Sequence, residues 1–427
     1  MKKLFFVFVV LLTSSCDTGE VANNLTSGGD SCEQKSGAKN LKSEHREILK
    51  VAGWLDFVEK NVGVINYMDN ELVAENAIGR AYCGKCYTDI ATKNRDAVGI
   101  VATIVHEAGH LADECKNGEE PAVKAHKQFY EDYEKNYSTR FYDVQPDIVN
   151  CYEGKLKDSE KQLLLKKINE VRSLHGLKSV QYSYTDDVYS SKAALMIVAN
   201  NDYKFTETSK CYSWEGMRGY TWRWENSSNI QFGFITSYLY PPNDANLLAV
   251  NLFQDWNGQD SSVWKRRNLL DPQLSYISFG RVDGKPLVGD NPSYRSDMVI
   301  DFYANRGEYM QLSEDFIAYP YHNYPSELLK EDSYLSFSPI IDKGSFWNNG
   351  NTDSDKRIDL SNSKIEVYNA KTGMKEIVQD IGFYHDWIPY VIKWKMNLQK
   401  DVQYNVKVFD VKILGINRNY DYWFKLN

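Results

Sequence analysis

Residues 97–114 read AVGIVATIVHEAGHLADE, and this stretch decides how the first third of the chain folds. Apolar residues run through it at helical spacing and no proline interrupts them, so the pattern predicts a helix. The sequence Lys116-Asn117-Gly118 follows it, and a glycine in that place is typical of the end of a helix. We therefore expect one well-defined apolar helix here.

Inside the predicted helix, residues 106–110 read HEAGH, which is an H-E-x-x-H pattern. Residues four positions apart lie on one helix face, so the imidazoles of His106 and His110 can reach one ion. Zn²⁺ accepts imidazole nitrogens, and its catalytic sites keep one coordination position for water. Glu107 projects beside that position and can act as a general base. The pattern predicts one zinc ion held by His106 and His110, with Glu107 as the catalytic residue.

A third protein ligand is expected after the turn, where a second helix is predicted to run to about residue 136. The motif resembles that of the zincin metallopeptidases. Compact zincins have a similar helix that begins with E-x-x-A, and this resemblance implies Glu119 as the third metal ligand, with Glu120 as the alternative. His126 and Glu131 are further candidates on the same segment. Glu114 lies one turn beyond the motif, where it would be strained as a ligand.

The residues before the metal helix predict a small mixed unit. Residues 45–60 have a helical pattern, whereas residues 62–67 and 77–82 read as short strands. One or two strands beside a metal helix suit a zincin-like α+β unit over residues 41–145. The fold class predicted for the whole chain is α+β.

The first sixteen residues predict export. Residues 4–12 are a purely apolar run, too short to span a bilayer but suited to the core of a signal peptide. The small residues before Cys16 resemble the lipobox of bacterial lipoproteins, although Thr13 stands where that family usually has leucine. The resemblance implies that residues 1–16 are a lipoprotein signal and that lipidation of Cys16 anchors the protein to a membrane of the bacterial cell envelope. Residues 17–40 then read as a flexible tether.

Cysteine usage agrees with an oxidising compartment. The chain has seven cysteines, and lipidation of Cys16 would leave an even number for disulfides. Cys83 and Cys86 have C-x-x-C spacing, but no second such pair exists to complete a four-cysteine zinc site. A structural disulfide is expected for them, either within the pair or to other cysteines.

A second set of residues lies between positions 155 and 295. In chain order these are Asn169, Arg172, Gly176, Leu177, Ser228, Asn229, Ile230, residues 265–272, Phe279 and Gly280. Their order is similar to that of the CAP superfamily (SCP-like domains), and this resemblance implies an extracellular α-β-α sandwich over residues 155–295. Many CAP domains line a pocket with two histidines and two acidic residues that can hold a divalent ion. Here Phe205 and Lys265 stand where the histidines belong and Ser228 replaces an acidic residue, so no metal site is expected in this segment. Arg266 and Arg267 are expected to pair with local carboxylates.

The last third of the chain, residues 296–427, alternates apolar and polar residues in short segments such as MVIDFYA, YLSFSPI and YNVKVFDVKI. Turn residues separate these segments, so the pattern predicts an Ig-like β-sandwich. No catalytic constellation is evident in it, and a supporting or binding role is expected.

The charge balance excludes one class of partner. The chain has 50 Lys and Arg against 58 Asp and Glu, a formal net charge of −8, so it lacks the basic excess of a nucleic-acid-binding protein. The sequence predicts an envelope-anchored zinc-dependent hydrolase, and more narrowly a metallopeptidase acting on a protein or peptide substrate. The alternative is a non-catalytic surface binding or adhesion lipoprotein that uses the CAP-like and β-domains to hold a surface ligand. In a third interpretation, the metal helix is only a metal-stabilised scaffold.

Overall fold

The computed structural model describes residues 37–68, 78–83, 85–92, 97–220, 223–225, 229–238, 245–254, 263–289, 294–305, 312–329, 333–343, 357–385 and 390–427. The predicted signal peptide, Cys16 and most of the predicted tether lie outside these ranges. The chain divides into two compact units, one largely within residues 1–140 and one largely within residues 141–427. Both combine helices with sheets, which confirms the predicted α+β class. Among the described residues, no helix has the length and apolar character needed to cross a membrane.

The elements of the first unit are α1 (Ser43–Ala52), α2 (Leu55–Asn61), β1 (Val64–Met68), β2 (Gly79–Tyr82), β3 (Tyr87–Ala91), α3 (Ala97–Ala112) and α4 (Glu120–Thr139). The helix predicted over residues 45–60 is two helices. Gly53 adopts a left-handed conformation (φ 77°) that ends α1 before α2 begins.

A three-stranded sheet supports the metal helix, in the order β1-β3-β2. β1 runs parallel to β3, whereas β2 runs antiparallel to β3 and forms one edge of the described sheet. Strands β1 and β2 were predicted from the sequence, whereas β3 was not. One apolar core joins the sheet to α3, and its fully buried members include Ile65, Ile90, Val101, Ile104 and Val105.

Disulfides form as the sequence analysis expected. Cys83, directly after β2, is bonded to Cys115 in the turn after α3, and Cys86 is disulfide-bonded as well. Of the two arrangements left open for the C-x-x-C pair, a bond within the pair is therefore wrong. In the second unit, Cys151 is bonded to Cys211.

The second unit begins with a layer of mixed helices and strands. Its elements are β4 (Tyr142–Val144), β5 (Lys155–Leu156), α5 (Asp158–Leu174), β6 (Gln181–Tyr182), α6 (Asp187–Asn200), α7 (Trp214–Tyr220), β7 (Arg223–Glu225), β8 (Asn229–Tyr238), α8 (Ala245–Gln254), α9 (Trp264–Leu269), β9 (Leu274–Gly284) and β10 (Arg295–Asn305). Five of the strands form one sheet, in the order β6-β9-β10-β8-β7. Helix α6 packs closely on this sheet, since a Cβ on Gly280 would lie 2.1 Å from the backbone of Ser190.

Strand β10 includes the segment MVIDFYA, which the sequence analysis placed in the C-terminal module. It pairs instead with β8 and β9, between them in the five-stranded sheet. The alternating pattern was read correctly as a strand, but a period of two does not say which sheet a strand joins. The division of the chain into the predicted domains itself stays a prediction.

The C-terminal strands form two sheets. They are β11 (Phe316–Tyr319), β12 (His322–Tyr324), β13 (Leu335–Pro339), β14 (Ile358–Asp359), β15 (Lys364–Asn369), β16 (Gln379–Tyr384), β17 (Val391–Lys395), β18 (Gln403–Ile413) and β19 (Ile416–Leu426). One sheet has the order β11-β13-β17-β16, and the other has the order β12-β19-β18-β14 with β15 also paired to β18. Aromatic rings from the two sheets are in contact. The ring centres of Phe337 in the first sheet and Tyr420 in the second sheet are 5.0 Å apart. Two facing sheets with an aromatic core fit the predicted sandwich.

Buried arginines join the mixed layer to the C-terminal strands. Arg266 donates hydrogen bonds to the carbonyl oxygens of Phe253 (2.7 Å) and Tyr334 (2.6 Å), and its guanidinium carbon lies 3.8 Å from the ring centre of Tyr319. The expectation that Arg266 pairs with a carboxylate is wrong for the described residues. Backbone carbonyls and an aromatic face satisfy its buried charge instead.

His175 also lies where the mixed layer contacts the C-terminal strands. Its surroundings predict that the stability of the protein decreases in acid. Its Nε2 lies 3.0 Å from the Tyr324 hydroxyl, and its pKa is lowered to about 3, mainly by burial and also by the positive charges of Arg172 and Arg266. An unfolded histidine has a pKa of about 6.5. Between those two values the unfolded chain binds the extra proton, so stability is full above about pH 6.5 and falls as the pH drops, by up to ~1.4 kcal/mol per unit.

We expect the melting temperature of the native chain to fall between about pH 6.5 and 4, and His175→Gln to make that fall shallower. The difference between the two chains isolates His175 from groups such as Asp271, whose raised pKa has the opposite effect. Parallel melting curves of the two chains across this range would contradict the assignment.

Candidate metal centre

Helix α3 is buried around almost its whole circumference, from Val98 to Leu111. A helix that is apolar on every side belongs inside a core. His106, Glu107 and His110 interrupt this apolar surface, and each is only 1% exposed. Polar side chains buried this deeply require partners, because an unpaired polar group in a core costs free energy.

The structure brings Glu119 to the two histidines. Glu119 stands immediately before α4, and its Oε2 lies 3.3 Å from Nε2 of His106 and 3.5 Å from Nε2 of His110. One ligand atom from each residue lies within 4.8 Å of the others. Tetrahedral ligands with bonds of about 2.0–2.1 Å stand about 3.4 Å apart. The three side chains therefore have the spacing of a group that could hold one metal ion.

A close contact between α3 and α4 makes this spacing possible. A Cβ on Gly109 would lie 2.8 Å from the Cα of Ala122, so the two helices meet at a point where only glycine fits. Gly109 occupies a variable position of the H-E-x-x-H motif. The short connection from His110 to Glu119 is long enough because the two helices approach so closely.

The other residues considered as metal ligands are not part of this group. Glu120 is exposed at the first position of α4, and neither it nor Glu131 belongs to the described group of possible ligands. His126 packs its ring against His106, with the ring centres 5.7 Å apart, and its Nδ1 lies 3.2 Å from the carbonyl oxygen of Ala102. Glu114 forms an ion pair with Lys116 on the surface.

The electrostatics of His106 fit a ligand. Its pKa is lowered to about 4, mainly by burial and also by the neighbouring His110 and His126. Its Nε2 is buried and has no hydrogen-bond partner among the described residues. A neutral imidazole with a free nitrogen facing a carboxylate is the form that binds a metal ion. The donor set of two nitrogens and one oxygen therefore fits such an ion.

Glu107 lies between α3 and the edge strand β2. Burial is the main reason that its pKa rises to about 8, and the negative charge of Glu119 adds to the rise. A hydrogen bond from the backbone N–H of Ala81 and the positive charge of Arg80 act in the opposite direction. A Cβ on Gly79 would lie 2.3 Å from Oε1 of Glu107, so β2 packs its glycine directly against this carboxyl group.

A polar row on the opposite face of the sheet holds the strands in register. Asn66, Asp89 and Arg80 are direct neighbours across β1, β3 and β2. Asp89 accepts hydrogen bonds from the Asn66 amide (3.0 Å) and the Tyr82 hydroxyl (2.9 Å). Sequence reasoning missed this row and also Gly79, although a glycine inside a strand is a recognised sign of close backbone approach.

Comparisons with known proteins add little to this geometry. No protein-family model matches the chain, and no curated protein matches it. A solved structure that resembles part of the chain is that of MpPR-1i. The two are 14% identical with a TM-score of 0.22, and the match covers 37% of this chain and 96% of MpPR-1i. At that TM-score the similarity supports no conclusion about the fold, and the CAP-like identity of residues 155–295 stays a prediction.

Proposed function

We propose that this protein is a zinc-dependent hydrolase of the bacterial cell envelope, and more narrowly a metallopeptidase anchored through a lipidated Cys16. The observation that carries the proposal is the convergence of His106, His110 and Glu119 on one point, with the carboxyl group of Glu107 beside them. Three protein ligands leave a coordination position open, which is typical of catalytic rather than structural zinc sites.

Each residue of the site has a separate role in the proposed reaction. When bound, Zn²⁺ supplies a Lewis acid that polarises a peptide carbonyl and makes a water molecule more acidic. His106, His110 and Glu119 would hold the ion, and the surrounding apolar core would limit the access of bulk water. Glu107 takes up the proton of the attacking water and delivers it to the leaving amine, so one carboxyl group serves as base and then as acid.

The edge strand β2 is the surface on which we place the substrate. One side of β2 pairs with β3, and the strand carries Gly79 and Ala81 against Glu107. An extended peptide that pairs with the other side of β2 would lie alongside the general base, in the manner of strand addition to a sheet edge. Peptides and unfolded segments can adopt this conformation, which is why we favour a peptidase.

The proposal is tested by the metal content of the purified chain. We expect a single zinc ion per chain and its loss in His106→Ala, because one of the three ligands is then missing. A peptide-library cleavage screen follows, with the Glu107→Gln chain as the blank. A chain that takes up no metal after zinc is supplied would refute the hydrolase and leave the binding lipoprotein as the better interpretation.

Gly79→Ala should damage turnover without removing the metal. The added methyl group would overlap Oε1 of Glu107 and also lie 2.6 Å from Cγ2 of Thr103, so the carboxyl group must move. A displacement of about 1 Å in a catalytic group can reduce kcat about 100-fold. The measurement is kcat together with zinc content and melting temperature. Unchanged kcat in a folded, zinc-loaded variant would show that the position of Glu107 against β2 is irrelevant.

A further inference from the structure

The hairpin between β18 and β19 ends in an unusual turn. Ile413 pairs with Ile416, so Leu414 and Gly415 form a two-residue turn, and both have positive φ (50° and 82°). Such turns favour asparagine, aspartate or glycine at the first position. A leucine there is strained by its Cβ. The geometry of the turn therefore does not explain why residue 414 is a leucine.

The same tip presents aliphatic surface to solvent. Leu414 is 56% exposed and Ile416 is 65% exposed. These residues stand at the end of the two C-terminal strands, each of which has 11 residues. Leu414 has a strained backbone conformation and an exposed side chain, so it contributes little to the stability of the fold. We therefore look for a contact that it makes outside the chain.

Cations flank the apolar tip. Lys412 and Arg418 are exposed, and neither forms an ion pair with a carboxylate in the part of the chain that the structure describes. Asp359 is the cross-strand neighbour of Lys412, and hydrogen bonds from Ser361 together with the positive charge of Lys412 lower the pKa of its carboxyl group. The tip therefore combines an apolar end with two exposed cations, of which Lys412 stands beside a carboxylate.

We propose that this tip inserts into the interface of an anionic membrane, with Leu414 and Ile416 among the lipid chains and Lys412 and Arg418 at the headgroups. Two aliphatic side chains on a convex turn are far below the roughly 800 Å² per partner of a stable protein interface. Apolar contact combined with attraction of basic residues to anionic lipids is the usual chemistry of peripheral membrane attachment. The proposal does not depend on the metal centre.

The test compares the full chain carrying Cys16→Ser with variants of it on vesicles. The vesicles are phosphatidylcholine alone, or phosphatidylcholine with one quarter phosphatidylglycerol. We expect the parent to partition about tenfold more strongly onto the anionic vesicles. The double variant Leu414→Asn with Ile416→Thr should lose about tenfold of that binding. The variant should still fold, because Asn-Gly is the preferred sequence for this turn.

Ile377→Asn is the matched control, since Ile377 is 76% exposed in the connection between β15 and β16. This variant should bind as the parent does, and any background from the N-terminal segment is common to all the chains. Equal partitioning of the parent and the tip variant would overturn the proposal and leave a protein partner as the occupant. Equal partitioning of the parent onto neutral and anionic vesicles, or an equal loss in Ile377→Asn, would overturn it as well.

Discussion

A chain carrying Glu107→Gln should retain a single zinc ion and lose peptide cleavage by about 10²–10⁴-fold, the usual contribution of a general base. Glutamine has nearly the shape of glutamate, so it can occupy the same space beside Gly79. Its amide cannot accept the proton of the attacking water. The side chain is outside the group of possible metal ligands formed by His106, His110 and Glu119, so metal binding should survive.

The measurement is kcat/KM on the best peptide from the library, together with zinc content. Glu114→Gln is the matched control, because Glu114 carries the same carboxylate just beyond α3 and pairs with Lys116 on the surface. That variant should cleave within about twofold of the parent, as surface changes usually do little. Parent-level cleavage by Glu107→Gln would remove Glu107 from the mechanism. Loss of zinc in this variant would mean that Glu107 acts through the metal site and not as a base.

The metal helix could be predicted from sequence because its evidence is local. Helical periodicity and a four-residue histidine spacing are properties of a single segment, and α3 covers residues 97–112 of the predicted 97–114. Short segments carry less information. Strand β3 has only five residues, YTDIA, and its parallel pairing with β1 depends on contacts distant in sequence.

Other features depend on distances that no sequence pattern contains. The bond of Cys83 to Cys115 requires the end of β2 to lie beside the end of α3, and the spacing of the C-x-x-C pair does not reveal this. Arg266 was expected to need a carboxylate, but carbonyl oxygens from distant parts of the chain supply its acceptors. Every residue has a backbone carbonyl oxygen, so the sequence does not show which of them accepts a hydrogen bond from a buried arginine.

The identity of the third metal ligand also depends on structure that the sequence does not show. Glu119 and Glu120 are adjacent, so which carboxylate faces the histidines depends on where α4 begins. In the structure, Glu119 stands before the first helical residue and Glu120 is that residue. The resemblance to compact zincins favoured Glu119. The geometry agrees, because the glycine contact at Gly109 brings this end of α4 against α3.

Glu119→Gln should therefore weaken zinc binding by more than about 100-fold, since even the removal of residues that only support metal ligands costs about 10–100-fold. The change removes the negative charge that lies 3.3 Å and 3.5 Å from the two imidazoles, and an amide oxygen is a poorer ligand for Zn²⁺. The measurement is a competition titration against a chelator of known affinity, with the melting temperature recorded to confirm that the chain is folded.

Glu120→Gln is the control that separates the two roles a carboxylate can have at this place. Both residues lie at the N-terminus of α4, where negative charge stabilises a helix by about 0.3–1 kcal/mol through its dipole. If the dipole were the whole role of Glu119, the two variants would lose similar small amounts of stability and keep the same zinc affinity. A metal ligand instead predicts a large loss of affinity in Glu119→Gln alone. Equal zinc affinity in the two variants would remove Glu119 from the site and make a two-histidine centre insufficient for the proposed hydrolase.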